Sequence, residues 1–586
     1  MTSILDADTI LVVDVGSMTT RAILFDVVDG RYRFIAKGEA STTAIAPYRN
    51  IGEGVRIAID RLQAITGRTL VDSAHSLIIP VSNDGSGVDR FAATISAGEP
   101  LNVVVVGLLE DVSTESARKL VQTTYSRILH AFSLNDRRKP ENRLNLLLRT
   151  RPDLIVAAGG TNGGASQSVI SLMESVGLAC YLMPESVRPE ILYVGNPSLA
   201  DEIRSSLEGI TRIHFAANIR PTLETEQLEA AQLALSRLYV DIKARNLPGV
   251  DDLKAWAGEG ITPTASAFGR VVRFLSAFLS DKKGVLGLDA AASAITLVAA
   301  MQGESFQLVF PQLGLSEGVE KAADPITIDE VLRWTTSAVS AKAVREYLAN
   351  KAIYPQTLPA TTEEMDLEQA IARQAIQKAV QLARPIFANR IPALFEGCLP
   401  YFEPILATGG ILTRASGPAQ SALLLLDGLQ PVGITTLVLD QNHIAPAVGA
   451  AAIYSPLLTA QVMDSNSFLN LGTMIAPVAN VKTGQPILRV KASFEGGGET
   501  NVDLKQGALN VIPVPYGQTA RLSLQPLHRA DIGMGAPGRG GSLTVKGGAL
   551  GVILDGRGRP LILPKDWQHR QELYMKWLWA LGGQLT

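Results

Sequence analysis

The sequence predicts an α/β fold of two related lobes followed by an all-β region, and three observations carry that reading. Apolar runs of strand length alternate with segments of helical spacing through the first three quarters of the chain. That order gives a largely parallel sheet covered on both faces. One arrangement occurs twice: an apolar run, an aspartate, a turn of small residues and a second apolar run. It appears in ILVVDVGSMTTRAILF (Ile10 to Phe25) and again in KGVLGLDAAASAITLVAAM (Lys283 to Met301), as a duplicated, two-lobed fold would leave it. Near residue 465 helical spacing disappears until the chain's end. Short alternating runs cut by Gly and Pro replace it, the signature of a small barrel or sandwich.

Taken in order, residues 10–36 read as two strands and 50–66 as a helix. SLIIPVSND (Ser76 to Asp84) and LNVVVVGL (Leu101 to Leu108) read as strands, and STESARKLVQTTYSRIL as a helix capped by Ser113 or Thr114. PDLIVAAGG (Pro152 to Gly160) is a buried strand ending in a glycine turn, SQSVISLMESVG a helix and PEILYVGN a strand. Thr222 to Arg245 has the spacing of a long helix, and ITPTASAFGRVVRFLSAFLS of another, opened by Pro263. Residues 327–396 are helix-rich and interrupted by the loop PQTLPATT. EPILATGGILTRA then reads strand, Gly409-Gly410 turn, helix, and TTLVLDQNHIAPAVGAAAIY strand, loop, helix. The runs ILRVKASF, LNVIPVP, ARLSLQP, SLTVKGG, LGVILD and PLILP make up the β region, and DWQHRQELYMKWLWALGG a final helix carrying Trp567, Trp577 and Trp579. The expected domains are 1–260, 261–460 and 465–586.

The 586 residues are too many for one core. A net charge of -3 supplies no bulk positive field to draw in nucleic acid or an anionic membrane, and the basic run Arg137 to Lys139 reads as a solvated loop. The longest apolar stretches, such as Leu101 to Leu109, are too short to span a bilayer. MTSILDAD at the start has neither a basic beginning nor a long apolar core, so no secretory signal is expected. Cys180 and Cys398, far apart and in apolar contexts, read as buried small hydrophobes in a reducing cytoplasm. The six histidines do not cluster with carboxylates or cysteines at metal spacing.

The Asp14 turn carries the chemistry. Gly16 permits close backbone approach, Ser17, Thr19 and Thr20 supply hydroxyls, and Asp14 supplies a carboxylate. Such a set suits a phosphate tail: amides and hydroxyls bind the oxygens, and the carboxylate holds Mg²⁺ through water. An ordinary hairpin, with its Asp and Ser serving only the turn amides, would use the same residues. GAPGRGG (Gly535 to Gly541) reads as a loop between strands, and the DGRGR turn with Asp555, Arg557 and Arg559 as a solvated hairpin tip.

The Asp14 hairpin, the Asp289 hairpin and the late Gly409-Gly410 turn occur in the order of the actin, Hsp70 and sugar-kinase superfamily, whose lobes are duplicated ribonuclease H-like domains. A closer resemblance covers residues 8 to about 458. VVDVGSMTTRAILFD, VVVVGLLEDVSTESARKLV, PDLIVAAGGTNGGAS, EILYVGNPSLADEI, ANIRPTLETEQLEAAQ, TPTASA and ILATGGIL run collinearly with the accessory ATPase component of the glutamate mutase and ornithine aminomutase systems. This is the mutase "L" family, unrelated to the DNA mismatch-repair protein of similar name. GGTNGG and Asn218 to Pro221 (NIRP) resemble this family rather than the wider superfamily. The resemblance implies ATP and Mg²⁺ as ligands in a cleft between two lobes. Asp14 would hold the metal through water, Gly16, Ser17, Thr19, Thr20 and Ser293 would lie at the phosphates, and Gly409 and Gly410 at the adenosine. Asp289 would orient an attacking water. Lobe closure would move the attached β region, and the client would be a cobalamin-dependent mutase served by a reactivating chaperone.

This sequence departs from the family at the second hairpin. The family pattern Asp-Ile-Gly-Gly-Ala-Thr-Thr-Asp is here Asp289, Ala290, Ala291, Ala292, Ser293, Ala294, Ile295 and Thr296. Both glycines, both threonines and the second aspartate are absent, although Ser293 could stand in for a threonine. Losing one positioned donor to a charged transition state commonly costs ~10²–10³-fold in rate, so hydrolysis is expected to be slow or lost. Asn162 stands where the family has an aspartate, and PQLGLSEG (Pro311 to Gly318) lacks an expected Asp and Arg. The rival expectation is a non-catalytic scaffold or assembly protein with a degenerate nucleotide cleft. The oligomeric state stays open.

Overall fold

The computed structural model describes residues 8–278, 283–315, 326–388, 391 and 397–583. The opening MTSILDA, the end of the expected helix at Leu279 and Ser280, and Ser316 to Gly318 lie outside the described residues. The chain forms two compact units. One comprises Ile10–Leu24 and Ala36–Ser266; the other comprises Phe25–Ile35 and the chain from Ala267 onward.

In the first unit Ile10–Val15 is buried on both faces because it is the central strand. The sheet order is Ile261–Pro263, Arg90–Ile95, Ile10–Val15, Thr19–Val28, Arg31–Ser41. Residues 10–36, expected as two strands, therefore hold two complete strands and the start of a third. The second turn is Asp29-Gly30, at φ 51° and 73°, the Asp-Gly signal of a tight hairpin. SLIIPVSND is not a strand. Among the described residues its assigned pairing is the isolated bridge Val71–Leu77, Pro80 lacks an amide to pair, and Ile79 is 42% exposed. Its place beside the first strand is taken by Arg90–Ile95, which pairs in parallel with Ile10–Val15 and with Ile261–Pro263.

Between Arg90–Ile95 and Ile261–Pro263 the chain builds a second, wholly parallel sheet. Its order is Ser126–Ser133, Leu101–Gly107, Leu154–Ala157, Glu190–Tyr193, Ile213–Phe215. The helix expected over STESARKLVQTTYSRIL is shorter than its spacing suggests. A π-turn at Glu110–Thr114 leads into helix Glu115–Val121, and Ser126–Ser133 is already strand. Thr123 and Thr124 end the helix, their hydroxyls bonding back to Leu120 O at 2.7 Å and Val121 O at 3.1 Å. The expected helix from Thr222 begins only at Glu229 and runs to Asn246.

In the second unit an eight-stranded sheet runs Glu304–Phe310, Ile295–Met301, Gly284–Ala290, Phe402–Thr408, Gly433–Leu439, Leu469–Ala476, Val552–Asp555, Leu509–Ile512. Its first five strands repeat the order of the first unit's sheet: third, second, first, fourth, fifth. The opening three form antiparallel hairpins, and the fourth and fifth run parallel to the first. The duplication holds to the residue. Asp14 pairs in register with Thr94, and Asp289 pairs in register with Thr408.

The last three strands of this sheet come from beyond residue 465, and a four-stranded antiparallel sheet packs on them. That sheet runs Glu499–Lys505, Pro486–Phe494, Thr519–Pro526, Gly541–Lys546. Ile475, Val490, Leu522, Leu524, Val552 and Leu554 share one core, so the β region is a sandwich. PLILP is irregular rather than a strand, since Pro560 and Pro564 cannot donate to a ladder. Helix Trp567–Ala580, capped by Asp566, packs Tyr574, Trp577 and Leu578 into the main core of the second unit. Among the described residues no helix is long and apolar enough to cross a membrane.

The DGRGR turn departs most from its sequence reading, for both arginines are buried. Arg557 donates to Asp555 through Nε and Nη2, both at 2.9 Å, and to Asp427 at 2.7 Å. Arg559 donates to Asp555 at 2.7 Å and Arg373 to Asp427 at 2.8 Å. Arg557 lies over the Trp577 ring, 4.7 Å from its centre. Three arginines and two aspartates thus tie the helices Thr362–Ala388 and Pro418–Leu429 to the β region. Burial alone would raise the carboxyl pKa of Asp555, but the Arg557 and Arg559 guanidiniums outweigh it and hold the group well below the usual carboxylate range. Its contribution to stability is therefore complete above the unfolded pKa of about 3.9 and lost only as pH falls through the lower folded value.

Removing one partner of a buried ion pair strands the other. D427N is therefore expected to cost about 3–5 kcal/mol in urea unfolding followed by tryptophan fluorescence. D503N, which breaks the exposed Arg489–Asp503 pair, is expected to cost under about 1 kcal/mol. Equal losses would contradict the assignment of the buried cluster as the tie.

Candidate functional site

The first hairpin turns at Gly16, whose amide donates to Thr19 O at 3.1 Å. A Cβ on Gly16 would lie 2.8 Å from that carbonyl, so the turn needs glycine. Asp14, only 4% exposed, is held from several sides. Oδ1 accepts Thr94 Oγ1 at 2.6 Å, with Thr264 Oγ1 at 3.4 Å, and Oδ2 meets Arg21 Nη1 at 3.3 Å. Arg21 also donates to Glu39 at 2.9 Å. Burial, which would raise the Glu39 pKa, is outweighed by Arg21 and Lys37, so its carboxyl sits below its ordinary value.

Ser17 and Thr19 lie on the turn with Gly16. Thr20 is fully buried behind it, its hydroxyl 2.9 Å from that of Thr42, which in turn donates to Gly16 O at 2.7 Å. Thr42, Thr94 and Thr264, which fix this turn, escaped the sequence reading. Thr94 sits on Arg90–Ile95, which has no strand signal of its own, and Thr264 lies in TPTASA, whose pattern marks a helix start and a family segment but not a carboxylate partner.

Asp289 lies near the end of Gly284–Ala290 in the second unit, and the tight turn closes with Ala291 N donating to Ala294 O at 3.1 Å. The structure brings this turn and the Gly-Gly turn together. Gly409, at φ 115°, passes so close that a Cβ would lie 2.2 Å from Ala290 O. Ser293 is buried, and Gly314 of PQLGL packs on it, a Cβ there falling 2.4 Å from the Ser293 carbonyl carbon. Gly410 faces open space and begins the short helix Gly410–Thr413, whose Thr413 hydroxyl lies 2.7 Å from His443 Nε2. Asp14 belongs to the first unit and Asp289, Ser293, Gly409 and Gly410 to the second. Among the described residues no group of three or more His, Cys, Asp or Glu is placed to hold a metal.

GGTNGG and NIRP, distant in sequence, meet at one edge of the inserted parallel sheet. Asn218 Nδ2 donates to Gly160 O at 3.0 Å and to Asn162 Oδ1 at 2.9 Å, and Asn162 N donates to Pro221 O at 3.0 Å. Nearby, Arg220 donates to Ser116 at 2.7 Å, and Arg220 and Lys119 share Glu226, each at 3.3 Å.

The model of the MutL protein family matches residues 10–467. The chain belongs to the MutL family. "Protein MutL" of Clostridium tetanomorphum is 20% identical over 410 residues, spanning 64% of this chain and 85% of that protein. Distant likenesses among solved structures include a glycerol dehydratase reactivase, at 11% identity and a TM-score of 0.30 over 76% of this chain and 100% of that one. Another is component A of the Acidaminococcus fermentans (R)-2-hydroxyglutaryl-CoA dehydratase, at 11% identity and a TM-score of 0.25 over 77% of this chain and 99% of that one. This MutL-family chain carries the same five-strand order in both units, and its matched region ends where the β sandwich begins.

Gly409→Ala would place a methyl group against Ala290 O at a φ that side chains resist. It is expected to lower stability by about 1–3 kcal/mol, whereas Gly410→Ala, in open space, should stay within about 0.5 kcal/mol. Thermal unfolding of the two variants checks the contrast.

Proposed function

We propose that this MutL-family chain binds ATP at the Asp14 hairpin and acts as a nucleotide-dependent accessory protein to a client enzyme, with hydrolysis slow or lost. The carrying observation is the pre-set Asp14. A buried carboxylate is fixed by Thr94 and Arg21 beside a turn that only glycine can make. In this reading the amides and hydroxyls of Gly16, Ser17 and Thr19 meet phosphate oxygens, and Thr20 supports the turn from behind through Thr42. Asp14 would hold Mg²⁺ through water, and the metal, when bound, would neutralise phosphate charge. The family resemblance assigns Gly409 and Gly410, on the second unit, to the adenosine.

The second turn supports slow chemistry. Asp289 is retained to orient a water, but Ser293 is the one hydroxyl among the alanines that follow it, and it lies buried beneath Gly314. Family membership supports a client enzyme as the partner, and the family resemblance makes a cobalamin-dependent mutase the first client to try.

Mg·ATP at 100 times its Kd is expected to add about 2.7 kcal/mol to stability, and Thr19→Glu, which sets a carboxylate where phosphate would bind, to abolish the gain. Turnover is expected below about 1 s⁻¹, the lower end of ordinary enzyme rates. Absence of any ATP-dependent stabilisation would overturn nucleotide binding and leave the scaffold reading. Turnover at or above that rate would overturn the claim of impaired hydrolysis.

A further inference from the structure

The inserted sheet of the first unit carries a feature that the Asp14 hairpin does not use. All five strands are parallel, so their carboxyl ends share one edge. Chain order reverses between Leu101–Gly107 and Leu154–Ala157. Right-handed connections send the segments after these two strands to opposite faces, which opens a crevice of the kind in which parallel α/β sheets take ligands.

One wall is the loop AGGTNGGAS, residues 158–166. It contains no charged residue, is exposed from Asn162 onward, and opens the sixteen-residue helix Gln167–Leu182, whose N-cap Ser166 makes no capping hydrogen bond. First-turn amides at such a helix start favour an anion. The loop is tied in place by Asn218 from one strand end and by Asn196 from another, Asn196 Oδ1 accepting from Gly163 N at 3.2 Å.

A separate observation points to a missing partner. Asn196 is 1% exposed, and its Nδ2, beneath the loop, has no hydrogen-bond partner among the described residues. Its orientation is fixed, because Ser198 N also donates to Oδ1, at 3.2 Å. On the other wall Thr114, also 1% exposed, leaves Oγ1 unpaired in the same way. Native structures rarely leave such groups without a ligand or water. Close by, Lys119 and Arg220 share the carboxylate of Glu226, while Glu110, Asp111 and Glu115 flank Thr114.

We infer that this reversal point is a second ligand site, distinct from the Asp14 hairpin, which takes the phosphate group of a small phosphorylated molecule on the loop 158–166 and the first turn of the helix Gln167–Leu182. GGTNGG and NIRP are then the two halves of its frame.

The test is hydrogen–deuterium exchange of the full chain with pyrophosphate as probe, in wild type, Ser166→Asp and Ser175→Asp. Ser166→Asp caps the helix with its own carboxylate and so competes with the ligand. Ser175→Asp adds the same charge on an exposed position of the same helix, away from its start. Protection over residues 160–170 is expected in wild type and Ser175→Asp, with at least tenfold weaker affinity in Ser166→Asp. Unchanged exchange over residues 10–25 in Ser166→Asp would exclude misfolding and the Asp14 hairpin as the cause. No protection over 160–170 in wild type, or equal affinity in all three proteins, would overturn the site.

Discussion

A carboxylate at the end of a buried strand must find partners or unfold its surroundings, and the Asp14 hairpin meets that constraint through the strand beside it. The strand carrying Asp14 pairs in parallel with a strand carrying Thr94, and the strand carrying Asp289 with a strand carrying Thr408. At the first site the threonine hydroxyl bonds the carboxylate directly and Arg21 balances its charge. The polar turn that follows, the glycine that lets it close and the sheet order that brings the fourth strand alongside all serve this placement. An aspartate at the same point of an exposed hairpin would need none of them.

The two turns then diverge, and the divergence is chemical rather than architectural. The first keeps a glycine and hydroxyls around its aspartate; the second replaces almost all of them with alanine while keeping strand order and register. Alanine preserves a tight, buried turn, and Gly409 still passes within contact of Ala290. A fold under selection for packing alone tolerates that replacement, whereas a site needing several donors at a transferring phosphate does not. The β sandwich adds a further constraint. Its strand Leu469–Ala476 pairs with Gly433–Leu439, which would otherwise be an unpaired edge, and the buried Arg–Asp cluster fastens the region there.

Much of this was legible locally. The Asp14 hairpin, the Asp289 hairpin, the Gly409-Gly410 turn and the change of pattern near residue 465 are all written in adjacent residues. What escaped depends on distant partners. Arg90–Ile95 is a short strand whose identity comes from the strand it pairs with, whereas the apolar run in SLIIPVSND is broken by Pro80. The strand Ser126–Ser133 was absorbed into a helical pattern because apolar spacing does not reveal where two threonines turn the backbone away. Arg557 reads as solvated because its partner Asp427 lies 130 residues away, and Arg559 because the Pro431 carbonyl that takes its Nε lies 128 residues away. The meeting of GGTNGG with NIRP, likewise, is a product of parallel strand order that no local pattern discloses.

Whether the Asp14 turn grips a polyphosphate is decided by a crystal structure of the full chain with Mg²⁺ and a non-hydrolysable ATP analogue. The expected result is β- and γ-phosphate oxygens on the amides and hydroxyls of Gly16, Ser17 and Thr19, with the metal near Asp14. Phosphates bound elsewhere, with the Asp14 turn empty, would contradict it.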